Sequence, residues 1–459
     1  MLRTEHSRRT SHGLVHAILT TAVCAAAVLM LGSAAKASAA IPPPSSDPFY
    51  TYSGSLAGIT PGTVLKSRKV EITLPPDLST PIPATQLLFR TTNEIGHPAL
   101  AVTTVIQPVT GPALPRILSW QPFYDTLGAQ CDPSYELRGG GTTLGAAYFS
   151  SCDLLGQAEG LAAASFLSQG DTIVVTDYED TNEVYGAGQL EGYGTLDGIR
   201  AAENYLHYFE PSTPVAMIGY SGGAIASQWA AELAPAYAPR LDVVGTAAGG
   251  VFVDPIHNLE YINGGASGWD DVIPVFLIVY QRGFGFNIAP YLSPLGTKIV
   301  AEDQTAYIND LTTNGFTRYQ QLLKPQYANI TDLPGVPQAF NKMTMGSDGI
   351  PKSPMLLENG GGLAANGWDG DGIMITADVE ALAHEYCEHG VPVDFSTYNL
   401  THVDAFVPFA AQAIPWITSR LLGLTAPIQD CSTIPVGDSL APIPVPAAHQ
   451  RRRHHHRKA

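Results

Sequence analysis

Short runs of β-branched and apolar residues recur along the body of the chain, each bounded by turn signals. They are Gln86–Phe89, Ala101–Ile106, Arg116–Trp120, Thr172–Thr176, Val215–Gly219, Val243–Ala247, Pro354–Glu358 and Val391–Tyr398. Stretches with helical spacing separate several of them. Thr195–Tyr208 places Leu196, Ile199, Ala202, Tyr205 and Leu206 on one stripe, and Ala224–Leu233 and Ala377–Glu388 also read as helices. Strands alternating with helices predict an α/β protein with a mostly parallel sheet covered on both faces. The alternation lapses between about Phe252 and Met345, where the sequence is irregular and rich in aromatic residues (Trp269, Phe276, Tyr280, Phe284, Phe286, Tyr291) and carries no charge from Val272 to Gln281. This stretch predicts a cap inserted over the C-terminal edge of the sheet. Its aromatic residues form either the cap's own core or a lipid-facing surface.

The length of 459 residues accommodates one large domain with an insertion, or two domains. With 45% hydrophobic and 14% charged residues, the chain is not intrinsically disordered. The formal net charge is −17, but both ends of the chain are basic. Between residues 40 and 448, 15 basic residues face 40 acidic ones, a net of −25. Such a body has no electrostatic footprint for a phosphate backbone, which argues against a nucleic-acid partner.

The N-terminus has the layout of an export signal over residues 1–39. Arg3, Arg8 and Arg9 form a basic start, Thr10–Ala35 carries no charge, and Ala37-Ser38-Ala39 supplies small residues for cleavage. The Arg8-Arg9 pair hints at a twin-arginine route, and an uncleaved anchor is the alternative. No later segment resembles a membrane span, so no stable membrane insertion is expected once the signal is removed. Residues 40–74 are expected to form a linker or arm, and 436–459 a disordered basic tail to which no function is assigned. Cys24 lies in the signal, which leaves Cys131, Cys152, Cys387 and Cys431. The simplest of three pairings joins neighbours, Cys131 to Cys152 and Cys387 to Cys431, as suits an exported protein.

The strongest chemical signal is Val215-Ala-Met-Ile-Gly219-Tyr220-Ser221-Gly222-Gly223, an apolar strand followed by G-x-S-x-G and a helix. A serine on so tight a turn has a strained backbone, and small residues two positions to either side relieve the crowding. The hydroxyl then projects above the sheet, and the Gly222 backbone N–H is placed to donate to an oxyanion. A serine nucleophile needs a base and an orienting carboxylate, in this topology later in the chain and in the order acid, then histidine. His384 lies within a helix and His389 at its end, whereas His402 follows the last strand, where a loop can carry it over the serine. Asp371 and, two positions earlier, Asp369 both follow the strand Pro354–Glu358 and are the candidate acids; either could instead cap a turn. The cluster His384-Glu385-Tyr-Cys-Glu-His389 is not a metal site, since histidines five apart diverge by about 140° around a helix. No metal or cofactor is called for.

At these residues the chain resembles the secretory lipase family of α/β-hydrolases, the lipase A-like enzymes. The likeness extends from about residue 75 to 431. It takes in Ser119-Trp-Gln-Pro-Phe-Tyr-Asp125, Cys131-Asp-Pro-Ser-Tyr135, Asp177-Tyr-Glu-Asp180, Leu196-Asp-Gly-Ile-Arg200, the elbow, and Gly370-Asp371-Gly372 through His402. The resemblance implies an α/β-hydrolase fold divided into a core (75–251 and 346–435) and a cap after the nucleophile unit (252–345). It implies Ser221 as nucleophile, Asp371 as acid, His402 as base, and an oxyanion hole from the Asp125 loop with Gly222. Taken alone, Gly139-Gly-Gly141 would compete with Asp125 for that last role. It further implies a secreted lipase or carboxylesterase acting on an ester, above all a lipid ester. A peptidase of the same fold and a non-catalytic envelope-binding protein are the alternatives. Ile375 stands where the family usually has proline, and the cap shows no close match, so no acyl preference carries over.

Overall fold

The structure is a computed structural model, and it describes residues 41–74, 77–111, 114–140, 156–208, 213–308, 311 and 318–445. The export signal, Cys152 and the basic residues 451–459 therefore lie outside the described residues. At the centre is a nine-stranded sheet in the order β1-β2-β3-β5-β4-β6-β7-β8-β11. Three antiparallel strands, β1 (Val64–Leu74), β2 (Asp77–Thr92) and β3 (Pro98–Ile106), lead into six parallel ones. The parallel set comprises β4 (Ile117–Gln121), β5 (Thr172–Thr176), β6 (Pro214–Tyr220), β7 (Asp242–Gly249), β8 (Met355–Gly360) and β11 (Val393–Tyr398). A short ribbon of β9 (Leu363–Ala365) and β10 (Trp368–Gly370) follows β8. Every strand anticipated from the apolar runs is present. Of the interior parallel strands, β4, β5 and β8 are buried throughout, and β6 and β7 are buried beyond their first residues, because helices cover both faces.

One face is covered by α2 (Gln189–Leu206), α3 (Gly222–Tyr237) and α8 (Thr376–Glu388), and the other by α1 (Gly156–Ser168) and α9 (His402–Leu421). Between β7 and β8 the chain leaves the sheet and forms α4 (Pro255–Ile262), α5 (Ile273–Gly283), α6 (Pro294–Glu302) and α7 (Val336–Met343). Much of the apolar content of this segment packs internally: Tyr280 is buried against Phe284 and Phe340, and Phe286 stacks on Tyr291.

The two flanks depart from expectation. Val64–Leu74 is no arm but the edge strand of the sheet, paired antiparallel with β2. Its lysines, arginine and glutamate (Lys66, Arg68, Lys69, Glu71) are typical of a guarded edge, and they hide the strand from an apolar-run search. At the other end, residues 436–445 of the expected disordered tail are anchored. The Asp438 N–H donates to the Ala377 carbonyl, and Ile443 exchanges two hydrogen bonds with the Asn341 amide, while Leu440 and Ile443 pack on the main core. Cys387 and Cys431 form a disulfide that pins this C-terminal segment to α8, with Cα atoms 5.6 Å apart.

Candidate active site

The C-terminal ends of β4, β6, β8 and β11 converge on one edge, and one candidate group follows each of them. At the end of β6 the chain turns sharply into α3. Ser221 sits on the turn with φ 54° and ψ −119°, in the strained region that elbow chemistry requires. The crowding inferred from the motif is real. A Cβ on Gly219 would lie 2.1 Å from the Gly223 carbonyl oxygen, and one on Gly223 would lie 2.0 Å from that of Gln121. The Ser221 N–H donates to the Gly249 carbonyl on β7, which fixes the turn to the sheet.

His402, the candidate base, arrives differently from expectation. His402 is not in a loop but is the first residue of α9, capped by the Thr401 side chain. Pro408 and Pro415 lie inside this helix and obscure it in the sequence. Its register is nonetheless helical, with Ala405, Phe406, Phe409, Ala413, Trp416 and Ile417 buried against the sheet. Tyr220, next to Ser221, donates its hydroxyl to the His402 carbonyl at 2.6 Å and lays its ring 5.3 Å from the imidazole. His402 Nε2 is 2.8 Å from Ser221 Oγ, and Nδ1 is 2.7 Å from Asp371 Oδ2. The second oxygen of Asp371 accepts from the N–H groups of Ile373 (3.0 Å) and Met374 (2.7 Å). Of the two candidate acids, then, the structure brings Asp371 to the histidine and leaves Asp369 exposed on β10. His384 and His389 stay on α8 and at its end.

Asp125 follows β4, adopts φ 30° and is buried against the elbow: a Cβ on Gly222 would fall 1.7 Å from its Oδ1. Burial pushes the Asp125 carboxyl up to about 7, against the opposing pull of His402. Its loop is held from two sides. The Leu127 N–H donates to the Ala306 carbonyl and the Ile308 N–H to the Asp125 carbonyl, while Arg282 of α5 donates to the Leu127 and Glu183 carbonyls. From below, the Tyr178 hydroxyl donates to the Pro122 carbonyl and the Glu179 N–H to the Tyr124 hydroxyl. Asp177 accepts from both the N–H and the hydroxyl of Ser134. The Ser119–Asp125, Cys131–Tyr135 and Asp177–Asp180 blocks are thus one packed unit under the loop. Gly140, a rival in the sequence, lies instead against the Tyr135 ring.

Two features had no signal in the sequence. Glu358, on β8, is fully buried; burial pushes its carboxyl up to about 9, with the nearby Asp371 charge adding to the shift. Burial thus favours its neutral form. A narrow apolar cavity also opens beside these groups. It is lined by Ile225 from α3, Ile373 and Met374 from the loop after Asp371, and Phe252, Val275 and Phe276 from the segment between β7 and β8. From the same segment Trp269 sets its ring edge-on to His402, with centroids 6.1 Å apart. Among the described residues no cluster of His, Cys, Asp and Glu side chains is arranged to hold a metal ion.

Comparison with known proteins agrees with this architecture. The pattern of the secretory lipase family matches residues 149–427. A Mycobacterium tuberculosis protein named as a probable inactive lipase is 32% identical over 386 residues, covering 83% of this chain and 82% of its own. A secreted triacylglycerol lipase of Malassezia globosa is 29% identical, covering 82% of this chain and 79% of its own. The X-ray structure of Candida antarctica lipase A in its closed state superposes with a TM-score of 0.75 at 26% identity, covering 90% of this chain and 93% of that one. With the family pattern spanning more than half of its length, this chain belongs to the secretory lipase family.

Proposed function

We propose that this protein is an exported serine ester hydrolase, a lipase or carboxylesterase, that works through an acyl-enzyme. The observation that carries the reading is the continuous hydrogen-bonded line from Ser221 Oγ through His402 to Asp371. In the first half-reaction Ser221 Oγ attacks the ester carbonyl while His402 Nε2 takes its proton. Asp371 holds Nδ1–H and stabilises the imidazolium. The backbone N–H groups of Asp125 and Gly222 receive the oxyanion, and the imidazolium then returns its proton to the leaving alkoxide. Water, deprotonated by the same nitrogen, attacks the acyl-serine in the second half-reaction and restores the enzyme.

Residues 252–345 act as a cap over this site, and the apolar cavity beneath them takes the acyl chain of a lipid ester. The secreted lipase relatives support both the substrate class and the export. The body's excess of acidic residues disfavours docking on anionic membranes, so contact with lipid falls to the charge-poor cap. Hydrolysis of a p-nitrophenyl ester series by wild type and Ser221→Ala tests the reading, and equal rates for the two would overturn it.

A second reading, a protein that keeps the fold without turnover, is favoured by one finding: the relative that is 32% identical bears the name of an inactive lipase. Labelling with a fluorophosphonate probe separates the two, since only a competent Ser221 reacts. The complete Ser–His–Asp line in this chain favours catalysis.

A further inference from the structure

The loop that carries Asp371 is short, and its peptide groups divide between two sets of partners. A trans peptide unit is planar and points its C=O and N–H in opposite directions, so holding one end aims the other. In the unit joining Asp371 to Gly372, the carbonyl accepts the backbone N–H of His402 at 2.8 Å, and the N–H donates to the Tyr261 hydroxyl at 3.0 Å. In the unit joining Ile373 to Met374, the N–H donates to Asp371 Oδ1 at 2.7 Å, and the carbonyl accepts from the Asn258 amide. Each plane therefore has the candidate triad on one side and a side chain of α4 on the other.

Both side chains are buried, Asn258 at 2% and Tyr261 at 0% exposure. The helix that carries them is itself fastened to the same region. The Tyr261 hydroxyl donates to the Leu363 carbonyl at 2.6 Å, and the Asn366 amide donates to the carbonyls of Glu260, Tyr261 and Asn263 at the end of α4. His257 at its start meets the Asp378 carboxylate at 3.0 Å. Thus α4, the first helix after the chain leaves the sheet, is bonded to the acid loop through Asn258 and Tyr261, and to the β9–β10 ribbon and α8 on either side of that loop.

We propose that Asn258 and Tyr261 are positioning residues for the catalytic acid, so that the inserted segment sets the geometry of Asp371 as well as covering the site. This rests on the reading of Ser221, His402 and Asp371 as the triad. Without the Asn258 amide, the 373–374 peptide is free to rotate and the Met374 N–H swings away from Oδ1. Without the Tyr261 hydroxyl, the 371–372 peptide loosens its hold on the His402 backbone. In either case Asp371 orients and stabilises the imidazolium less well.

The test compares Asn258→Leu and Tyr261→Phe with Leu259→Val, a buried change on the same helix at a residue that makes no side-chain bond to the loop. The substrate is p-nitrophenyl butyrate below its solubility limit. The readouts are kcat and KM, the acid limb of the pH profile of kcat/KM, and the downfield proton NMR signal of the His402–Asp371 hydrogen bond. The expected result is a kcat about tenfold lower in each of the first two variants, with KM within twofold. The acid limb moves to lower pH, and the downfield signal moves upfield or broadens. Leu259→Val lowers Tm and leaves the limb and the signal in place. If Asn258→Leu and Tyr261→Phe lose only Tm, with limb and signal unmoved, the brace is structural and the proposal fails while the triad stands. A wild type that neither hydrolyses the ester nor takes up a fluorophosphonate overturns the triad reading itself, and this inference falls with it.

Discussion

Adding one methyl group at Gly222 should disable the enzyme with little effect on its fold. In the structure that methyl would lie 1.7 Å from Asp125 Oδ1 and 2.8 Å from Cγ, where ordinary contact begins near 3.4 Å. The carboxyl must therefore retreat by about 1.7 Å, the difference between those distances. It is 1% exposed, and its residue's backbone is tied to the Ile308 N–H, so the side chain cannot swing out to solvent and residue 125 itself must tilt. A misplacement of about 1 Å can cost about 100-fold in rate, and loss of one oxyanion donor about 100- to 1000-fold, or roughly 3–4 kcal/mol. We expect Gly222→Ala to lower kcat/KM for p-nitrophenyl butyrate by a factor in that range. The overpacking should cost about 1–3 kcal/mol of stability, which leaves the protein folded. Removing the obstructing carboxyl supplies the control. In an Asp125→Gly background, where the positive φ is also better tolerated, the methyl has room, and the double variant should be at least tenfold more active than Gly222→Ala alone. Gly222→Ala retaining more than a third of wild-type kcat/KM would refute the assignment of the oxyanion hole to this junction. A double variant no better than the single one would show that the clash lies elsewhere.

The choice of acid can be checked by amide substitution. Asp371→Asn should lower kcat by about 10⁴, as loss of the triad carboxylate does elsewhere, whereas Asp369→Asn on exposed β10 should stay within twofold of wild type; the reverse pattern would reassign the acid. Glu232 accepts from the Tyr386 hydroxyl and the Gly346 N–H, and burial pushes its carboxyl up to about 8 from an ordinary 4.5. The folded protein thus holds a proton that the unfolded chain releases, so this contribution is complete below about pH 4.5 and is lost as the pH rises through about 8. Glu232→Gln keeps the acceptor but removes the titration. Its Tm should match wild type near pH 5 and exceed it near pH 9; parallel Tm–pH curves would count against this account. Replacing Cys387 and Cys431 by serine opens a link across 44 residues, worth about 4 kcal/mol in the chain-entropy model, and should lower Tm with kcat unchanged. An unchanged Tm would mean that the C-terminal segment is held by its packing alone.

Much of this molecule is legible one segment at a time. The eight apolar runs mark eight of the nine strands of the main sheet, the interior ones because helices cover both faces and the edge strand β11 because it opens on buried valines, Val391 and Val393. The ninth, β1, escapes because an edge strand satisfies its neighbour with one row of hydrogen bonds and keeps charged side chains on the other side. The helix α9 escapes because two prolines mask an otherwise regular apolar stripe. The anchoring of residues 436–445 could not be foreseen either, since it depends on the surface they meet on α7 and α8, not on their own composition.

The same division holds at the candidate site. Gly219, Ser221 and Gly223 declare an elbow by local sterics, and the order of serine, acid and histidine follows the path of the chain, so the sequence by itself pointed to serine-hydrolase chemistry and to Ser221, His402 and a carboxylate at 369 or 371 as its candidate residues. For the acid, the resemblance already pointed to Asp371, and only the tertiary structure supplies the contact, because a ribbon turns Asp369 outward and the loop folds Asp371 under His402. Only the neighbouring positions of β4 and β6 place Asp125 against Gly222, and only burial pushes the Glu358 carboxyl upward. The grip of Asn258 and Tyr261 on the acid loop has the same origin: hydrogen bonds between distant segments depend on how the sheet is ordered and covered, which no local spacing records.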